Sequence, residues 1–242
     1  MERNLKPIST GNPNFREIIE SNSLYIDKTK YIYNLVASKS IDKTYFLSRP
    51  RRFGKSLTID TLEHIFRGNK ELFKGLYIYD KYDFEEYPVV RLSMISVNSR
   101  DIVQVRRQLM KQVEKVGKDL GVLEMMDLSV ETPSDYLDSL IDSLNEKTGK
   151  QVVILIDEYD YPLMENIRSE AFESVRDEMA NFYNMIKAKE NKIRFCFLTG
   201  VTRFQHVSIF SKLNNLTDIS DSPEYAALCG YTDEELDYYF AP

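Results

Sequence analysis

Residues 44–58, Thr-Tyr-Phe-Leu-Ser-Arg-Pro-Arg-Arg-Phe-Gly-Lys-Ser-Leu-Thr, hold the densest chemistry in the chain. A short apolar run breaks at Pro50 and closes on Gly54-Lys55-Ser56, just ahead of a helix-like segment. Strand, loop, Gly-Lys-Ser and helix together form the pattern of a phosphate-binding loop. Such a loop turns backbone N–H groups inward at a helix N-terminus, where unsatisfied donors and the positive dipole end attract a polyphosphate. The candidate nucleotide contacts are Arg52, Phe53, Gly54, Lys55, Ser56 and Leu57. The amides of Phe53 to Ser56 would face the β-phosphate and Leu57 the α-phosphate. Lys55 would neutralise the β- and γ-oxygens as a point cation. One position departs from the usual spacing: Arg49 stands where a glycine five residues before Gly54 is customary. A glycine there would permit a backbone angle that other residues adopt reluctantly, so a different entry into the loop is expected. Pro50 has no N–H to offer, but it is not among the amides assigned to phosphate.

About a hundred residues later, Val152-Val153-Ile154-Leu155-Ile156 ends in Asp157-Glu158. An uninterrupted aliphatic run suits a central parallel strand, and ligands of open α/β sheets bind at the carboxyl ends of such strands. Magnesium on a nucleotide keeps several waters and takes few protein ligands, so Ser56 and Asp157 are its candidate holders. Glu158 is the candidate base for the water attacking the γ-phosphorus. The alternative is that both acids merely cap the next helix, since helix N-termini favour negative charge. Thr199, ending the run Phe195-Cys196-Phe197-Leu198, is a candidate sensor of the γ-phosphate, or simply a residue that starts a turn. Arg203 is a candidate contact to nucleotide or to a neighbouring subunit, and Arg51 and Arg52 are candidates for stabilising γ-phosphate charge. For each arginine an ordinary solvated side chain is the competing reading.

The elements that must position these residues alternate. Strands are expected at 45–48, 89–94, 152–156 and 193–199, with a short one near 217–220. Helices are expected at about 15–21, from an N-cap at Asp27 to 40, and at 55–66, 101–120, 133–148, 169–188 and 204–213, with a last one from Thr232. This is the pattern of a parallel sheet with helical crossovers, hence an α/β three-layer P-loop fold with about five strands. No repeat or linker-like tract divides residues 1–242, which read as one domain.

The net charge of −6 argues against a generally basic nucleic-acid-binding surface. Two cysteines, Cys196 and Cys229, and two histidines, His64 and His206, supply neither a disulfide framework nor a zinc cluster. The N-terminus lacks a signal-peptide core and no apolar run is long enough to span a bilayer, so a soluble, cytoplasmic protein is expected. Tyr25 and Tyr31, ahead of the loop, are candidates for stacking an adenine.

Leu24-Tyr25-Ile26-Asp27-Lys28-Thr29, then Phe46-Leu47-Ser48-Arg49-Pro50-Arg51-Arg52-Phe53-Gly54-Lys55-Ser56, then Ile156-Asp157-Glu158-Tyr159-Asp160, and finally Val207-Ser208-Ile209-Phe210 with Leu213-Asn214-Asn215-Leu216 resemble the AAA-ATPase-like family of bacterial and archaeal proteins. The resemblance spans nearly the whole chain, and within it Arg49 is the norm. It implies ATP and Mg²⁺ as ligands, Walker A and Walker B roles for the two motifs, and an attached PD-(D/E)XK nuclease-like domain. That domain is missing here: Glu190-Asn191-Lys192 has a Glu-x-Lys spacing but no upstream strand carboxylate. The chain stops inside or just after a helix, as a truncated protein would. The leading expectation is an ATP-hydrolysing module coupled to an effector, plausibly a nuclease, with a homo-oligomer as one arrangement. The alternatives are a non-catalytic nucleotide-binding or interaction module with a degenerate loop, and a nucleic-acid-binding regulator using Arg49, Arg51 and Arg52.

Overall fold

The computed structural model describes residues 6–8, 11–37, 43–203 and 215–240. Strand β3, Val152–Asp157, is buried along its whole length. Residues on a strand face opposite ways in alternation, so five apolar residues in a row require a hydrophobic layer on each side. Val152, Ile154 and Ile156 enter one core, and Val153 and Leu155 enter the other. The same division holds in β4, Ile193–Gly200, where Cys196 and Leu198 oppose Phe195 and Phe197. In β1, Thr44–Ser48, Phe46 opposes Tyr45 and Leu47.

With β2, Val89–Ser93, and β5, Leu216–Asp218, these strands form a five-stranded, all-parallel sheet in the order β2-β3-β4-β1-β5. The steps β2 to β3 to β4 run one way across the sheet, whereas β1 to β2 runs the other way. Parallel crossovers share a right hand, so connections in opposite directions fall on opposite faces. Accordingly α3, Lys55–Phe66, lies on one face with α1, Phe15–Glu20, and α2, Thr29–Val36. The other face carries α4, Ile102–Asp119, α5, Pro133–Thr148, α6, Tyr161–Asn166, and α7, Phe172–Ala188. A final helix, α8, is Asp233–Phe240.

Local signals set many of the boundaries. The side chains of Asn14, Asp101 and Thr132 accept from the amides of Glu17, Val103 and Asp135 and cap α1, α4 and α5. Gly149, at φ 65°, closes α5 in the left-handed conformation. Three expectations shift. The N-cap of α2 is Lys28; Asp27 instead accepts from the amide and hydroxyl of Thr29 and, with its other oxygen, from the Tyr77 amide at 2.7 Å. Met94 leaves β2 for a 3₁₀ turn. The expected 169–188 helix begins at Phe172, and the unanticipated α6 precedes it. The helix expected at 204–213, with His206, lies outside the described residues. Among the described residues no helix is long and apolar enough to cross a membrane.

Candidate nucleotide-binding site

Strand periodicity begins the site. In β3, Asp157 continues the face of Val153 and Leu155; in β4, Thr199 continues the face of Phe195 and Phe197. Both side chains therefore leave the sheet on the side of α3, the helix that opens with Lys55 and Ser56. Pairing of Ile156 with Leu198 puts the two strand ends level, and Leu47 of β1 pairs with Thr199. The Thr199 hydroxyl donates to Asp157 Oδ1 at 2.6 Å, with Thr199 fully buried and Asp157 nearly so.

The loop from Arg49 to Gly54 carries two left-handed residues, Arg52 at φ 67° and Gly54 at φ 92°. Gly54 is the N-cap of α3, and a Cβ placed there would touch nothing within 4 Å. Glycine serves this position for its backbone angle and not for lack of room. Arg51, Arg52, Phe53 and Gly54 are exposed, and Ser56 and Leu57 are partly buried. Lys55 is only 4% exposed. Its ammonium donates to the carbonyls of Arg49 and Pro50, each at 3.1 Å, and lies 3.5 Å from Glu158 Oε1. The lysine of the loop and the acid after β3 thus meet directly. Burial raises the Glu158 carboxyl above the ordinary glutamate value, with Lys55 pulling the other way and Asp157 and Asp160 adding to the rise. Glu158 itself has φ 54°, a conformation that costs a non-glycine residue about 1–3 kcal/mol and is held only where neighbours impose it.

At Arg49, where a different entry into the loop was expected, the backbone is not left-handed; the left-handed residues are Arg52 and Gly54. Arg49 works as an anchor. Its guanidinium donates to the carbonyls of Ser48 at 3.0 Å, Ser220 at 2.7 Å and Tyr225 at 3.5 Å, and its amide donates to Gly200 O at 3.1 Å. The loop is further tied to the chain after β5 by Gly230 N to Phe53 O at 3.0 Å and by Thr58 Oγ1 to Cys229 Sγ at 3.4 Å. Asp157 and Glu158 do not cap a helix, since α6 starts after Asp160. Arg203 pairs with Asp221, its Nη2 at 2.7 Å from Oδ1, and lies 4.0 Å from Asp218. Tyr25 is occupied: its ring packs edge-on against Phe15 at 5.0 Å. Tyr31 is partly buried against the α3-side core. Glu190-Asn191-Lys192 forms a 3₁₀ turn in which Lys192 pairs with Asp142 at 2.9 Å.

Sequence reasoning gave Asp160 no role. The structure buries it and turns its carboxylate onto the end of β4, accepting from Val201 N at 3.0 Å and Thr202 N at 2.7 Å. A third acid within four residues and a glycine closing β4 were the available signals.

Among the described residues no group of three or more His, Cys, Asp or Glu side chains could hold a metal ion. The site instead presents a hydroxyl, Ser56, and a carboxylate, Asp157, the sparse oxygen donors that suit a magnesium ion sharing its shell with phosphate and water.

A strand-loop-helix cradle beside acids on a strand two places away defines an α/β protein with a P-loop NTPase-like fold. The chain belongs to a particular family of that kind: residues 9–210 match the family model described as Predicted AAA-ATPase. Membership implies nucleotide binding. A relative from Azotobacter chroococcum mcd 1, described as an uncharacterized protein in the vnfD 5′ region, is 38% identical over 240 residues, covering 98% of this chain and 45% of the relative. The chain therefore spans less than half the length of that relative. No solved structure matches it.

Proposed function

We propose that this chain is a magnesium-dependent module that binds and hydrolyses ATP to regulate an attached effector, for which the family resemblance suggests a nuclease-like domain. The observation that carries the reading is the approach of Lys55 Nζ to within 3.5 Å of Glu158 Oε1, beside the Thr199–Asp157 hydrogen bond. Cation, base, sensor and metal-holding acid then occupy one end of the sheet.

In this reading the amides from Arg52 to Leu57 cradle the phosphates, and Lys55 leaves the Arg49 and Pro50 carbonyls for the β- and γ-oxygens. Ser56 and Asp157 would hold the magnesium ion, which when bound neutralises phosphate charge. Glu158 takes a proton from water as its oxygen attacks the γ-phosphorus; the bond to the β,γ-bridging oxygen breaks, leaving ADP and inorganic phosphate. Thr199 orients Asp157 and the attacking water. Arg203 would join only by leaving Asp221.

The engagement of Lys55 by two loop carbonyls and Glu158 favours a second reading, a non-catalytic module whose loop stays closed. Melting with and without MgATP, alongside phosphate release, separates the two. Binding with turnover supports the ATPase; binding without turnover, or neither, supports the second reading.

A further inference from the structure

Asp160 is a buried acid that the catalytic assignment does not use. It stands directly before α6 but makes no side-chain capping bond to it. Its Oδ2 instead accepts three hydrogen bonds from the residues after β4: Val201 N at 3.0 Å, Thr202 N at 2.7 Å and Thr202 Oγ1 at 2.6 Å. The neighbouring residue reinforces the same junction. Tyr159 N donates to Thr199 O at 2.9 Å, and Tyr159 OH donates to Thr202 O at 2.9 Å. Tyr183 of α7 donates to Tyr159 O at 2.9 Å. Contact is close enough that a Cβ on Gly200 would sit 2.4 Å from the Tyr159 ring and 2.9 Å from Asp160 Oδ1.

The opposite edge of this junction holds the loop. Ser48 Oγ donates to Val201 O at 2.9 Å, and Arg49 N donates to Gly200 O at 3.1 Å. Residues 199–202 thus lie between the acids after β3 and the entry to the Gly-Lys-Ser loop. Glu158 is fastened on both sides: Asp157 before it is bonded by Thr199, and Tyr159 and Asp160 after it are bonded to 199–202. Its φ of 54° is the one left-handed angle between those two attachments. Strained conformations persist where surrounding structure over-determines them.

We propose that Asp160 is a positioning residue for the nucleotide site, holding the chain after Glu158 on the end of β4 so that the Glu158 carboxylate stays directed at Lys55. The inference rests on the ATPase reading above. Loss of the clasp would leave the phosphate cradle intact but let the base wander, and a misplacement of about 1 Å can cost on the order of a hundredfold in rate.

The test uses the full chain with Asp160→Asn, Thr202→Val and Thr202→Ser, reading kcat and KM for ATP, the melting shift with MgATP, and the pH profile of kcat. Asp160→Asn is expected to lower kcat roughly tenfold to a hundredfold and to displace the acid limb of the profile, with KM within about twofold and the MgATP shift retained. Thr202→Val removes one of the three bonds and should lose less. Thr202→Ser, which restores the hydroxyl, should recover near-normal turnover. Should Asp160→Asn fail to fold, the Thr202 pair decides alone. Unchanged kcat, or equal losses of binding and turnover, would overturn the proposal while wild-type turnover kept the ATPase reading intact. No turnover in the wild type would sink both.

Discussion

At the scale of single residues, the site is a small electrostatic argument centred on Lys55 and Glu158. Lys55 is buried with its ammonium against two carbonyls and one carboxylate, an arrangement a triphosphate would replace with stronger partners. A ligand that binds only the folded state at a hundredfold excess over its Kd stabilises by about 2.7 kcal/mol. MgATP should therefore raise the melting temperature of the wild type, and Lys55→Ala should abolish the shift. Glu158→Gln keeps shape and hydrogen bonding but cannot accept the proton. It should retain the shift and lose about 10²–10⁴ in turnover, as removal of a general base does; undiminished phosphate release would take the catalytic role from Glu158. Because burial raises the Glu158 carboxyl above the ordinary glutamate value, kcat should fall on acidification with an inflection above that value. The proton that stops catalysis goes on earlier than it would for an exposed glutamate.

At the scale of elements, stability depends on polar bolts between layers as well as on apolar contact. Arg91 of β2 donates to Asp60 at 2.5 Å and to Glu63 at 2.6 Å, joining the sheet edge to α3, while Asp60 also accepts from Phe15 N at 2.7 Å. Arg91→Met would leave two largely buried carboxylates short of a partner, and losing a charged hydrogen bond in such a place costs about 2 kcal/mol. Urea unfolding should show that loss with an unchanged slope. Another bolt joins Lys28 to Glu235 at 2.5 Å, fixing α8 against the start of α2. The helix caps at Asn14 and Asp101 were legible because each depends on a few adjacent residues; the cap at Thr132 was not read, although the start of its helix at Pro133 was. The cap expected at Asp27 moved by one residue because its carboxylate is also claimed by Tyr77, fifty positions away. Helix α6 was not legible: Tyr161-Pro162-Leu163-Met164-Glu165-Asn166 is too short to show a period, and packing of Leu163 into the core decides it.

At the scale of the whole molecule, two hydrophobic cores on either side of one sheet leave the chemistry at the sheet's carboxyl end. A partly buried histidine adds a pH dependence to the fold. His64, between Asp60 and Asn69, has its pKa lowered from 6.5, chiefly by burial, against the pull of Asp60. The unfolded chain then binds the proton more readily than the folded one. His64 therefore contributes stability that is full above pH 6.5 and is lost as pH falls through that value toward the lower folded pKa. Unfolding free energies at pH 7.5 and 5.5 should differ less in His64→Gln than in the wild type.

The sequence alone determined the Gly-Lys-Ser turn, the acidic end of an aliphatic strand, the alternation of strands with helices, and the family resemblance that the comparisons bear out. These depend on short-range periodicity and backbone preference, which a few adjacent residues express. Tertiary structure alone decided that β4 lies between β1 and β3, so that Thr199 bridges to Asp157. It also decided that Arg49 is an anchor and that Asp160 fastens the chain beyond Glu158. Each joins residues far apart in sequence, and such contacts exist only once crossovers have ordered the strands and buried polar groups have found the partners that burial requires.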